Sequence, residues 1–322
     1  MNASGIQTLR GVACCLLLVY HIIGATPLQG LRVPDGWLRD LTDVLAVVRM
    51  PVFGLIAGAV YGFSRQRGWN LVKNKAHRLL LPMLSVGTFF ALTQYLTPGS
   101  HYRTEDWHLL HIVPVAHYWF LESLFLIFCL VALAESVLPL HNFTNWCVYF
   151  FISVWVYLAH PGFIWFSVLG ACYLLPYFLL GVACTRMGLD PHQQRRKVGT
   201  LLAGLGIALA VGLLTQDSHH DRFSAPMLAT GLLMSAGLWS LGWKNSLLAR
   251  IGNYSFAIFL FHSFFTSATR MAVQAWLPEA DMLILAISIP IGILMPIALQ
   301  HLIERSAWAS YWLMGRKSHQ AE

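Results

Sequence analysis

The sequence predicts an all-α polytopic membrane protein of about ten transmembrane helices with both termini cytoplasmic. Three observations predict it: the composition, a chain-long series of apolar runs, and the sidedness of lysine and arginine. Of 322 residues, 57% are hydrophobic and 11% charged, against roughly a quarter charged in a soluble domain. A soluble fold must keep a polar coat and has no way to cover that much apolar surface. The runs recur from end to end without a linker, so residues 1–322 read as a single transmembrane domain with no separate soluble domain.

A hydrocarbon core of about 30 Å takes about 20 helical residues to cross. Only helices and closed barrels satisfy every backbone group there, and the period-two alternation of a barrel is absent. Ten runs fit helices: 10–30, 41–63, 79–97, 114–134, 144–160, 163–184, 199–215, 225–243, 251–270 and 282–303. An even number puts both termini on one side. That side collects Arg10, Arg65, Arg67, Lys73, Lys75, Arg78, Arg186, Arg195, Arg196, Lys197, Lys244, Arg250, Arg305, Arg316 and Lys317. The other side holds only Arg32, Arg39, Arg103, Arg222 and Arg270, while Arg49 falls inside a span. By the positive-inside rule the richer side is cytoplasmic. The basic excess is therefore topology, and no nucleic-acid partner is expected.

Other features exclude further classes. The first run carries Arg10 and His21 and leads into more spans, unlike a cleaved leader. Cys14, Cys15, Cys129, Cys147, Cys172 and Cys184 sit in or beside apolar runs, with neither metal-ligand spacing nor a disulfide framework. His101, His108, His111, His117, His160, His219 and His220 fall on or near the outer side as interfacial residues. His219-His220-Asp221 alone is too small a set for a metal, and none is expected.

Ionisable groups in hydrocarbon cost a few kcal/mol each, and they mark function by default. In the first run, Arg10 and His21 are eleven residues apart, about 20° from three full turns, so they share one face about 16 Å apart. They pair an anion-binding group at the inner mouth with a titratable group deep in the membrane. The alternative is a snorkelling arginine and a histidine bonded to a neighbouring helix. Arg49 lies several residues inside the second span, too deep to snorkel, and needs a carboxylate, a carbonyl or a ligand. Gly54, Gly58 and Gly62 follow at four-residue spacing, a stripe for close helix packing.

A cytoplasmic turn, Lys73-Asn74-Lys75-Ala76-His77-Arg78, precedes Pro82. Its charges suit a phosphate-rich ligand as well as they suit a membrane anchor. Trp119-Phe120-Leu121-Glu122 opens the fourth run, and a buried Glu122 calls for a cationic partner, with Arg49 or His21 as candidates. His262 is a second intramembrane histidine, read alone as a helix-to-helix hydrogen bond.

Taken in order, these residues resemble the acyltransferase-3 family. Arg10-Gly11 with His21 is similar to that family's opening Arg-Gly and following His. Arg49, Phe53 and Ala57-Gly58 resemble its second span, and Lys75, Arg78 and Pro82 its basic pair before a proline. Trp119-Phe120-Leu121, then Ile251-Gly252 with Ser255 and His262, then Ile303-Glu304-Arg305 complete the series. Departures are Lys75 for an Arg, Ala57 for a Ser and Ser306 for a Pro.

The resemblance implies acyl transfer, most often acetyl, from cytoplasmic acetyl-CoA or another acyl-CoA to a carbohydrate hydroxyl. The acceptor is expected to be a lipid-linked or exported glycan, and the location the cell inner (plasma) membrane. On this reading Arg10, Lys75 and Arg78 hold CoA phosphates, and His21 is the general base. Arg49 stabilises the oxyanion or binds the acceptor, and Glu122 orients a histidine or neutralises Arg49. A covalent acyl-histidine intermediate stays open. A glycan or lipid flippase also places Arg, His and Glu in the membrane, but needs no CoA pocket.

Overall fold

The computed structural model describes residues 3–64, 66, 68–98, 100, 106–187, 195–214 and 221–316. Arg65, Arg67, Arg103, Lys317, His101, His219, His220 and the side chain of Arg195 lie outside the described residues. Among the described residues all regular structure is helical, apart from one isolated bridge between Leu110 and Val113. The helices are α1 Ala3–Ile23, α2 Trp37–Phe63, α3 Gly68–Lys75, α4 Leu81–Leu96, α5 Trp119–Val137, α6 Phe143–Ala159 and α7 Val168–Arg186. After them come α8 Arg195–Leu214, α9 Ala225–Leu241, α10 Ser246–Asn253, α11 Ser255–Gln274, α12 Asp281–Ile303 and α13 Ala307–Met314.

Each of the ten predicted runs coincides with a helix. Eight spans are long and apolar enough to cross a membrane by themselves. The other two, α6 and α9, have 17 residues each. α9 passes the same test only together with α10, from which it is bent by 119°. The fold is thus an all-α polytopic membrane protein.

Two boundaries differ from the sequence expectation. α1 begins at Ala3 and stops at Ile23, where Gly24 takes φ +103°. Arg10 is therefore seven residues into the helix, about 10 Å from its start. The basic stretch 73–78 is a helix and not a turn: α3 passes through a π-helical turn, Ala76–Leu80, into α4. Pro82 is the cause, since a proline ring clashes with the carbonyl four residues back and a widened turn makes room for it.

The chain forms two compact units. The first comprises Met1–Ile56 and Leu189–Gln300, the second Ala57–Gly188 and His301–Glu322. In the first, α1 packs on α10 with backbone against backbone. A Cβ on Gly11 would stand 2.0 Å from the Leu248 carbonyl oxygen, and one on Gly252 would stand 1.9 Å from that of Gln7. Asn245 caps α10 by accepting from Leu248 N–H at 2.9 Å. The backbone of Asn245 is tied to α1 through the Thr8 hydroxyl, 3.3 Å from its carbonyl and 3.2 Å from its N–H.

The second unit uses the same device. A Cβ on Gly58 would stand 1.8 Å from the Phe178 carbonyl oxygen, and one on Gly62 1.9 Å from Thr185 Oγ1. The packing expected of the glycine stripe is therefore present at these two positions. α13, capped by Ser306 and ended by a left-handed Gly315, lies over the π turn. Ser85 donates to the Trp312 carbonyl at 2.7 Å, and His77 Nδ1 is 3.0 Å from that of Gly315.

Candidate active site

Two histidines meet in the first unit. His21, in the last turn of α1, and His262, on α11, stack with centroids 4.9 Å apart and planes 7° from parallel. His21 Nδ1 and His262 Nε2 are 2.6 Å apart. Proton positions follow from the neighbours of His262, which is wholly buried. Its Nδ1 faces the Ile258 and Phe259 carbonyls at 2.8 and 3.0 Å. Carbonyls only accept, so Nδ1 carries the proton, and Nε2 of the neutral ring is a lone pair.

Two groups address that lone pair: His21 Nδ1, and the Ser263 hydroxyl at 3.1 Å. When His21 donates to it from Nδ1, its own Nε2 becomes the basic nitrogen of the ring. An imidazole with one nitrogen fixed as donor and the other basic is the form a general base requires.

Arg49 adds a cation to this group. Its guanidinium lies 3.6 Å from the Tyr20 ring centroid, a cation–π contact. Tyr20 is tilted against His21 at 5.4 Å. Phe53, one turn further along α2, meets Phe259 edge-on at 6.5 Å. Arg10 also belongs to this unit, and its Nη1 donates to Gln7 Oε1 at 3.3 Å.

The other three predicted site residues belong to the second unit. Lys75 Nζ sits 4.1 Å above the Phe128 ring, and Arg78 is an exposed member of the π turn. Glu122 is buried, and its Oε2 accepts from Ser167 Oγ at 2.6 Å. Sequence reasoning offered Arg49 or His21 as its partner, and Ser167 was not foreseen. Ser123 Oγ donates to the Ser167 carbonyl at 3.1 Å, so adjacent side chains of α5 grip one residue. That residue needs holding, because Phe166 and Ser167 both take positive φ, 51° and 52°. Non-glycine residues in this region cost about 1–3 kcal/mol each and persist only where the surroundings enforce them.

A match to the acyltransferase-3 family profile, described as an acyltransferase domain, spans residues 4–301. The chain belongs to the acyltransferase-3 family. Comparison with curated proteins and with solved structures returned no match. Every motif of the resemblance lies within the matched acyltransferase-3 region except Ile303-Glu304-Arg305, which falls just beyond it. There Glu304 pairs with Arg316, closing α13 onto the end of α12.

The structure gives several acyltransferase-3 motif residues a physical task. Gly11 and Gly252 are the mutual contact of α1 and α10, and each lies ten residues before one histidine of the pair. The shared spacing was the available signal that His262 faces His21, and sequence reasoning passed over it. It also missed Ser263 and a charge cluster in the second unit. There Glu135 pairs with Arg186 and accepts from the Tyr61 hydroxyl, while the Arg186 guanidinium lies 4.9 Å from the Tyr61 ring. Glu135 and Arg186 fall at the ends of their helices, where charges draw no notice in a span.

Proposed function

We propose that this acyltransferase-3 protein moves an acyl group, acetyl in the first instance, from a cytoplasmic acyl-CoA to a hydroxyl of a membrane-associated or exported glycan. The acceptor class, the CoA donor and the inner (plasma) membrane rest on the resemblance, and the cytoplasmic side rests on the positive-inside count. The observation that carries the catalytic part is the His21–His262 pair, an imidazole whose Nδ1 faces the lone pair of a second, buried imidazole inside a membrane domain.

In this reading His21 Nε2 removes the acceptor's proton as its oxygen attacks the acyl carbonyl. Arg49 stabilises the oxyanion or binds the acceptor, and cation–π contact with Tyr20 helps to hold the guanidinium in place. Arg10, Lys75 and Arg78 are donor-phosphate contacts by charge. Glu122, which the resemblance gives a supporting part beside a histidine or Arg49, also accepts from Ser167 and acts as a positioning group.

The test is transfer of label from acetyl-CoA into membrane glycan, with wild type, His21→Ala and Arg10→Ala at matched membrane levels. Loss of transfer by about 10²–10⁴-fold in His21→Ala is expected for a general base. Unchanged transfer in that variant removes His21 from the mechanism and leaves the reaction class standing. Wild-type cells that label nothing from any acyl-CoA favour the flippase reading.

A further inference from the structure

Ser263 is set apart from the threonines of its helix by what it bonds. Side chains of this type inside helices ordinarily return their hydrogen to the carbonyl one turn back. Thr266 and Thr269 do so on the same helix, to His262 and Phe265 at 3.0 and 2.8 Å. Ser263 does not: its Oγ stands 3.1 Å from His262 Nε2. The Phe259 carbonyl, which a back-bonding Ser263 would use, instead faces His262 Nδ1 at 3.0 Å. A hydroxyl on a base whose far nitrogen is fixed by a third group is the arrangement of an activated serine nucleophile. Here the two carbonyls occupy the place that a carboxylate takes in a triad.

Resting on the acyl-CoA reading above, we propose that Ser263 is a nucleophile and that transfer proceeds through an acyl-serine. The competition of Ser263 and His21 for one lone pair then becomes an alternation. In the acylation half His21 carries its proton on Nε2. Ser263 Oγ attacks the thioester carbonyl, and its proton passes to His262 Nε2 and across the 2.6 Å contact to His21 Nδ1. The C–S bond breaks, and the departing thiolate takes the proton from His21 Nε2 to leave as the free thiol.

His21 now holds a proton on Nδ1 and a lone pair on Nε2, the base form needed for the second half. The acceptor hydroxyl attacks the Ser263 ester and gives its proton to His21 Nε2. The Nδ1 proton returns through His262 Nε2 to Ser263 Oγ as the ester C–O bond breaks. Each half-reaction reverses the tautomer of His21, so the two steps are forced to alternate, and no oxidant or further co-reactant is consumed.

The test uses the purified full chain in lipid nanodiscs, incubated with radiolabelled acetyl-CoA without acceptor and quenched in acid. Transfer is measured in parallel in native membranes. Wild type should carry label in the peptide containing Ser263, stable to neutral hydroxylamine and released by alkaline hydroxylamine, as an oxygen ester is. Ser263→Ala should lose the label and at least about 100-fold of transfer. Ser263→Cys preserves the side-chain volume and guards against a folding defect. It should carry label as a thioester, now released at neutral pH.

Transfer in Ser263→Ala within a few-fold of wild type overturns the proposal in favour of direct attack. So does label mapped to His21, or a wild type that transfers but never labels. A wild type that neither labels nor transfers with any acyl-CoA removes the donor reading itself, and the Ser263 proposal with it.

Discussion

The two units treat their buried polar groups in opposite ways. In the second, charge is cancelled: Glu135 meets Arg186 and the Tyr61 hydroxyl. The buried carboxyl of Glu122, likewise, is bonded to Ser167. In the first, two imidazoles and a serine surround one lone pair. Two bases do not neutralise one another, and what they are suited to do is pass a proton. Polar groups of the first kind hold a membrane fold together, whereas those of the second kind are the ones proposed above to contribute chemistry, and burial alone does not separate them.

That contrast can be broken at four points. The largest effect is expected from His262→Gln. A glutamine amide oxygen can still accept from His21 Nδ1, but it cannot take up a proton and pass it on, so transfer should fall about 10²–10⁴-fold at unchanged thermal stability. Assays on detergent-purified protein, with melting followed in the same sample, decide it. Transfer within a few-fold of wild type would mean that the pair is structural, like those of the second unit.

Gly252→Ala comes next. Its Cβ would meet backbone rather than a flexible side chain, so α10 must shift from α1 and take the start of α11 with it. A displacement of about 1 Å at a reacting group costs about 100-fold. Measured kcat should fall while the KM for the acyl donor stays within a few-fold of wild type.

Glu135→Ala should act on stability and leave turnover of the folded fraction near wild type. Breaking a buried pair leaves Arg186 charged and uncompensated, at a cost of about 3–5 kcal/mol. The check is apparent Tm alongside specific activity per folded molecule. A collapse of activity without a loss of stability would place this cluster with the catalytic groups.

The smallest effect concerns His111, outside the spans, whose Nε2 lies 2.9 Å from Thr88 Oγ1. Burial holds its pKa below the ordinary value. A histidine depressed in the fold stabilises above its unfolded value, near about 6.5, and that contribution is lost as pH falls toward the folded value. Wild type should therefore lose slightly more Tm than His111→Gln between about pH 7.5 and 5.5. Equal losses would show that His111 is solvated.

Much of this was legible in the sequence, because membrane helices announce themselves by length and apolarity. All ten runs coincide with helices, and the glycine stripe packs as its spacing implies at Gly58 and Gly62. What was misread depended on tertiary placement. A reader of the sequence takes 73–78 as a turn before Pro82, since the π turn that carries the helix through to it has no compositional mark. Glu122 invites pairing with any intramembrane cation, because the left-handed turn that claims it lies 45 residues away. His21, Arg49 and Arg10 stood out as charges in hydrocarbon. His262 is legible as an intramembrane histidine in a helix-to-helix hydrogen bond, but its partner and Ser263 are not, since a helical serine is ordinary until α1 is laid beside α11.

The glycine contact between α1 and α10 also acts as a measuring stick. Ten residues separate Gly11 from His21, and ten separate Gly252 from His262. A helix turns about 100° per residue, so removing or adding one residue in either interval would swing its imidazole about a quarter-turn away from the other. Apart from Tyr20, which meets Arg49, and Phe259, which meets Phe53, the side chains inside the two intervals can be exchanged for others of similar bulk. Their number is fixed, which makes a one-residue deletion between glycine and histidine more damaging than many substitutions spread over the same stretch.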